Sequence, residues 1–178
     1  MSRILGFPPL SLPTLLLSPL LLLLLAPDAL HGQKAPPPPK QMDLVRLSAK
    51  DAKCLDGSAA GYYYRKGKEQ SARHFVVFLA NSGWCLDEEE CAAKVAAGEE
   101  WPKQMQDTGG PIDGEPLRNP DLAGWTHVLV PGCDYTSFLG NRTEAAALSG
   151  GLFKKKKAHF QGNMVLEGVL RHLVKHKG

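Results

Sequence analysis

An α/β fold built on a parallel sheet is what this 178-residue sequence predicts, on three observations. Two continuous apolar runs, residues 74–79 and 126–130, have the length and composition of strands covered on both faces. After the first run, Asp87 precedes Glu88, Glu89 and Glu90 and an alanine-rich stretch reaching Ala97, which reads as a capped helix with acids in its first turn. Residues 161–177 place Val165, Leu166, Val169, Leu170, Leu173 and Val174 at helical spacing, giving an amphipathic helix with a wide apolar face. Strand, helix, strand, helix is the outline of a parallel sheet. Two strands with one helix each do not complete such a sheet, so the expectation is a domain cut short at Gly178.

Residues 1–31 read as a secretory signal. Arg3 supplies the positive start, residues 15–25 are leucines broken only by Ser18 and Pro19, and the chain turns polar at Asp28 and His31. Cleavage near Ala26 or a few residues later fits this pattern. An uncleaved anchor is the alternative, against which Pro13, Pro19 and Pro27 argue, so no stable membrane span is expected after cleavage. Residues 32–42, with their "APPPPK", form a proline-rich extended linker whose plain role is a spacer.

From residue 43 to 178 the pattern is globular. Leu44, Arg46 and Leu47 suggest a short edge strand, Asp56-Gly57-Ser58 a turn, and Tyr62-Tyr63-Tyr64 a second strand. Residues 109–119 are a Gly/Pro-rich loop, and Pro131-Gly132-Cys133 closes the second buried strand. Arg171, Lys175 and Lys177 lie toward the end of the last helix, where cations suit the dipole.

A net charge of +3 is mild. Nucleic-acid proteins carry basic stripes interleaved with aromatics; the one cluster here, Lys154 to Lys157, reads as a solvated loop, and no nucleic-acid partner is expected. Cys54, Cys85, Cys91 and Cys133 all follow the signal. Their even number in an oxidising compartment implies two disulfides in one of three connectivities. Zinc, the competing reading, prefers a C-x2-C pair or a Cys/His cluster, and neither occurs, so neither metal nor cofactor is expected. Asn141-Arg142-Thr143 is a glycosylation sequon.

No G-x-S-x-G nucleophile elbow is present; Gly57-Ser58-Ala59-Ala60-Gly61 reads as a turn before a tyrosine strand. Of the six histidines, His31 lies near the cleavage site and His74 and His127 fall in strands. His159 has no nucleophile beside it, and His172 and His176, one turn apart, read as solvated helix surface. Cys85, between a strand and a helix, could be an activated thiolate. Cys91 six residues on suits a local bridge instead.

Three stretches, "KCLDGSAAGYYYRKG", "FVVFLANSGWCLDEEEC" and "NPDLAGWTHVLVPGCDYTSFLGNR", resemble the N-terminal third of the pectin acetylesterase/Notum family. They carry C-x-D-G-S, a G-W-C-x5-C corner and C-D-x-x-S-F-x-G in order. The helix in "HFQGNMVLEGVLRHLVKHKG" is similar to the family's stretch ahead of its nucleophile strand. The likeness covers residues 43–178. It implies a secreted serine carboxylesterase with a partial α/β-hydrolase-like fold, a doubly wound and mainly parallel sheet, cut before the nucleophile elbow. It further implies a Cys85–Cys91 bridge and a Cys54–Cys133 bridge, the latter worth about 4 kcal/mol in the chain-entropy model. Ser82 and Gly83 would offer backbone N–H groups to the oxyanion of acyl transfer, and the partner would be an acylated polysaccharide or acylated protein. Two departures stand out. Asn81 and Ser82 occupy positions where the family uses glycines, and its nucleophile, acid and base fall beyond Gly178. The expectation is therefore an inactive truncated form, with a secreted binding module stapled by two disulfides as the alternative.

Overall fold

The computed structural model describes residues 38–48, 50, 52–150 and 153–177. The expected signal (1–31, with His31) and most of the linker (32–42) lie outside the described residues. The regular elements are, in order, β1 (Gln41–Arg46), β2 (Gly61–Arg65), β3 (Phe75–Ala80), α1 (Glu88–Ala97), β4 (Gln104–Gln106), β5 (Thr126–Pro131), β6 (Ala146–Gly150), β7 (Phe153–Ala158) and α2 (Gly162–His176).

Five strands form one sheet in the order β3-β5-β2-β1-β4, and β6 and β7 form a separate hairpin. The two apolar runs are the parallel pair: β3 and β5 align from Phe75 opposite Thr126 to Ala80 opposite Pro131. Their connection contains α1, the kind of crossover that parallel neighbours require. β5–β2, β2–β1 and β1–β4 are antiparallel. The fold class is α/β, and the described sheet is mixed, its parallel character residing in β3 and β5. Among the described residues no helix separates β1 from β2 to carry the chain back across the sheet, and they pair antiparallel.

Two strand expectations need correction. β1 is internal rather than an edge, because the three-residue β4 adds to it, with Met42 opposite Met105. β4 has too short a pattern to be recognised. β3, in contrast, is an edge strand of the described sheet, with β4 at the other edge. Its apolar residues are only half-buried and Leu79 is 41% exposed, whereas residues 126–130 of β5 are all buried. Composition made the two runs look alike; their places in the sheet set them apart.

Alternation along β5 feeds both sheet faces. Val128 and Val130 join Tyr62 and the Val165, Val169, Leu173 stripe of α2, while Leu129 packs with Met42, Tyr63 and Ile112. Only part of the predicted apolar face of α2 is covered: Leu170 and Val174 remain exposed. α1 packs on the β6–β7 hairpin, where Cys91 and Ala92 meet Leu148 and Ala158. The hairpin also corrects the reading of the lysine cluster. Lys154–Lys157 lies in β7, with Lys155 and Lys157 exposed and Lys156 half-buried opposite Leu148. A lysine's aliphatic stem permits that placement while its ammonium reaches water.

Candidate functional site

The corner after β3 is built from a short series of backbone constraints. Ala80 ends the strand by accepting from the Gly132 amide at 2.9 Å, which ties it to the loop after β5. Asn81, Ser82, Gly83 and Trp84 follow, all exposed. Gly83 has φ +82°, a left-handed conformation that glycine alone adopts without strain. A Cβ there would meet nothing within 4 Å, so the requirement is conformational rather than one of space. The Gly83 amide donates to Asn81 Oδ1 at 2.9 Å, an Asx turn. The Ser82 amide donates to no group among the described residues.

Sulfur and a helix start hold the downstream side. Cys85 and Cys91 are bridged with their Cα atoms 5.1 Å apart. Asp87 caps α1 by accepting from the Glu90 amide at 2.8 Å, and Glu90 Oε2 accepts from the Leu86 amide at 2.9 Å. The acidic trio thus sits where the helix dipole favours it, and two of its members do more. Glu90 pairs with Lys94 at 3.5 Å, and Glu88 accepts from the Ser149 hydroxyl and amide, at 2.6 and 3.0 Å. Those two bonds hold the exposed Glu88 carboxyl below the usual carboxylate range, the hydroxyl contributing most.

A buried carboxylate supports the corner from the other side. Trp84 pairs with Thr136 in an isolated antiparallel bridge, and Thr136 belongs to the loop after β5. There Asp134, 1% exposed, accepts from the Thr136 amide at 3.2 Å, from the Thr136 hydroxyl, and from the Gly162 amide at the start of α2 at 2.5 Å. The Thr136 hydroxyl oxygen accepts in turn from the Gly140 amide at 2.8 Å. A Cβ on Gly140 or Gly162 would fall within 2.5–2.7 Å of an Asp134 oxygen, so neither position admits a larger residue. Tyr135, Ser137 and Phe138 all have positive φ, at 57°, 49° and 63°. Non-glycine residues there cost roughly 1–3 kcal/mol each, so the surrounding bonds must over-determine this loop.

The second bridge, Cys54–Cys133, joins that loop to the C-x-D-G-S turn with Cα atoms 4.9 Å apart. Asp56 accepts from the Ser58 amide and hydroxyl, at 2.9 and 2.6 Å, and from the Glu99 amide at 3.1 Å. That motif is a structural turn. Lys94 lies 4.4 Å over the Tyr135 ring, and burial, followed by nearby Glu99, raises the Tyr135 phenol.

His127, His74 and His172 have their partners elsewhere in the fold. His127 is fully buried, with Nδ1 2.7 Å from the Ile112 carbonyl and 2.5 Å from Arg65, and Nε2 2.7 Å from the Leu122 carbonyl. His74 precedes β3 and its ring lies 5.1 Å from that of Trp125. Burial, aided by Lys53, lowers His159. His172 departs from the expected solvated surface: it is half-buried, and its Nδ1 is 2.9 Å from the Tyr62 hydroxyl. Asn141 is exposed, while the backbone beside it is held by Arg142 N donating to Phe160 O at 2.9 Å.

Sequence reasoning singled out Ser82 and Gly83, and the structure places both at the strand end beside the two-cysteine staple. Asp134 lies within the C-D-x-x-S-F-x-G motif, where residue order assigns it no role. The signal was faint, since the carboxylate's most distant partner, Gly162, lies 28 residues on. Chemically the corner offers one unengaged amide and one amide occupied by a neighbouring carboxamide, both in water. Donors of this kind stabilise developing negative charge far more strongly once water is excluded.

Comparison with known proteins adds the following. Residues 34–178 match the Pectinacetylesterase family model. The chain is 34% identical over 129 residues to pectin acetylesterase 7 of Arabidopsis thaliana, covering 71% of this chain and 31% of that protein. It is 28% identical over 141 residues to the palmitoleoyl-protein carboxylesterase Notum of Drosophila melanogaster, covering 76% and 20%. A solved structure of the Wnt deacylase Notum from Drosophila superposes with a TM-score of 0.65 at 26% identity, covering 78% of this chain and 39% of that one. The chain spans 20–32% of the length of the curated relatives it matches first.

Proposed function

The chain belongs to the pectinacetylesterase family, and on that premise we propose that it is the corner-bearing portion of a secreted carboxylic ester hydrolase. Its Ser82 and Gly83 amides face the oxyanion formed when a nucleophile attacks an O-acyl ester. One observation carries this reading. After a strand that pairs in parallel, a left-handed Gly83 turns the chain between an unengaged Ser82 amide and the Cys85–Cys91 staple, with Trp84 fixed to Thr136. The substrate class is an acylated polysaccharide or acylated protein, in line with what the named relatives act on. Two disulfides, an exposed Asn141 sequon and a leader of signal type support passage through the secretory pathway.

The 178 residues alone carry no serine elbow, and an oxyanion corner without nucleophile, base and orienting acid does not complete acyl transfer. On this reading residues 1–178 expressed alone turn over no simple acetyl ester. Turnover of p-nitrophenyl acetate above that of the heat-treated protein would contradict this. In a longer polypeptide that carries these residues together with a nucleophile, Gly83→Ala keeps the N–H but strains the φ +82° turn, displaces the corner's donors and lowers kcat. An unchanged kcat there removes the corner from the mechanism.

A second reading, a non-enzymatic secreted binding module, is favoured by the Asn81 carboxamide, which already occupies the Gly83 amide. Extended product that stays inert even as Asn81→Gly supports it.

A further inference from the structure

The C-terminal helix forms one wall of a groove remote in sequence from the corner. The groove, about 440 Å³, lies between α2 and the chain just after β1, and Leu47, Lys50, Arg171, His172, Lys175 and His176 line it. The helix dipole accounts for Lys175 near the end of α2. Arg171, expected among the cations suited to the dipole, stands one turn before Lys175, and Lys50 comes from the chain after β1. Three cationic residues therefore line one concavity. Glu167 also lines it, but that carboxylate is tied to Arg171 at 2.9 Å in an exposed i,i+4 pair, the weak kind that a better acceptor displaces.

A buried residue stands behind His172. Tyr62 is fully buried, and its hydroxyl, pushed up to about 12 chiefly by burial, stays protonated and lies 2.9 Å from His172 Nδ1. The His172 ring is held further against His176, with centroids 4.4 Å apart. Like charges gathered around a concavity repel one another until an anion enters, and a guanidinium matches the oxygens of phosphate, sulfate or carboxylate in a planar fork.

We propose that this groove is a binding site for a small oxyanion-bearing ligand, held by Arg171 and Lys175 from one wall and Lys50 from the other. The site is independent of the esterase reading and stands or falls separately. Inorganic phosphate titrated into the whole chain, followed by 15N–1H spectra, gives saturable shifts at Gly168, Arg171 and His172. Sodium chloride at matched ionic strength does not. Sulfate and acetate in parallel titrations rank the oxyanions. Arg171→Gln with Lys175→Gln weakens phosphate binding at least tenfold, and Lys50→Gln on the opposite wall also weakens it. Shifts that grow linearly, that chloride reproduces, or that survive both sets of substitutions overturn the proposal. Should the double variant not melt cooperatively, Lys50→Gln alone decides.

Discussion

Two loops leave neighbouring parallel strands at the same end, and they are built in opposite ways. The loop after β5 is knitted. Asp134 gathers Thr136 and Gly162, three residues hold left-handed conformations, and Cys133 is bridged to Cys54. The loop after β3 is open, with Asn81 to Trp84 exposed and few internal bonds. The pairing of Trp84 with Thr136 lets the rigid loop position the open one. A backbone donor has to stay accessible to act on a ligand, so it cannot satisfy itself by burial. Its precision has to be borrowed from a neighbour that can.

If that division is right, damage to the knitted side costs far more stability than damage to the open side. The largest effect belongs to Cys54→Ala with Cys133→Ala. The bridge spans 79 residues, so its loss destabilises by about 4 kcal/mol, read from urea unfolding midpoints. Next comes Asp134→Ala, which leaves the buried Gly162 amide and the half-buried Thr136 amide without their acceptor. That costs roughly 3 kcal/mol and broadens the Trp84 amide signal. Stability that falls by less than half of this shows the loop to be held elsewhere. Opening the six-residue Cys85–Cys91 bridge costs about 2 kcal/mol in the same assay, about half the loss for the long bridge. Equal losses for both bridges would break the comparison. Asp87→Ala removes the cap of α1 at a cost of about 1 kcal/mol.

The smallest effects separate the sides by pH. Glu88, beside the open corner, has a carboxyl lowered by its bonds from Ser149. Its contribution is present above the unfolded carboxylate range and is lost as pH falls through the lowered folded value. Tyr62, in the knitted core, is raised to about 12. Its contribution is complete below the unfolded value of about 10 and is lost as pH rises from there through about 12. Melting curves should therefore lose the Ser149→Ala-sensitive part of stability at acid pH and the Tyr62→Phe-sensitive part at alkaline pH. The reverse assignment would refute this division.

Much of the architecture is local chemistry and was legible in residue order. The Asp87 cap and acid-led start of α1 follow from side-chain reach over one helical turn. The Asp56-Gly57-Ser58 turn closes on itself, and the apolar stripe of α2 repeats at helical spacing. The family motifs marked Ser82 and Gly83 and implied both disulfide pairings. β4 went unseen because three residues carry no periodicity, and the lysines of β7 hid a strand because charge imitates a loop.

The sequence by itself determined the two apolar strands and the two helices, which cysteines were available to pair, and that a small-residue corner follows an apolar strand. Only the tertiary structure decided that β3 is an edge and β5 a buried centre, since both runs present the same apolar face to any one-dimensional reading. It alone decided that Asp134 anchors the corner's support, because that carboxylate's worth lies in amides that folding brings to it. Local interactions are written in neighbouring residues; burial and long-range hydrogen bonding exist only after the chain has closed on itself.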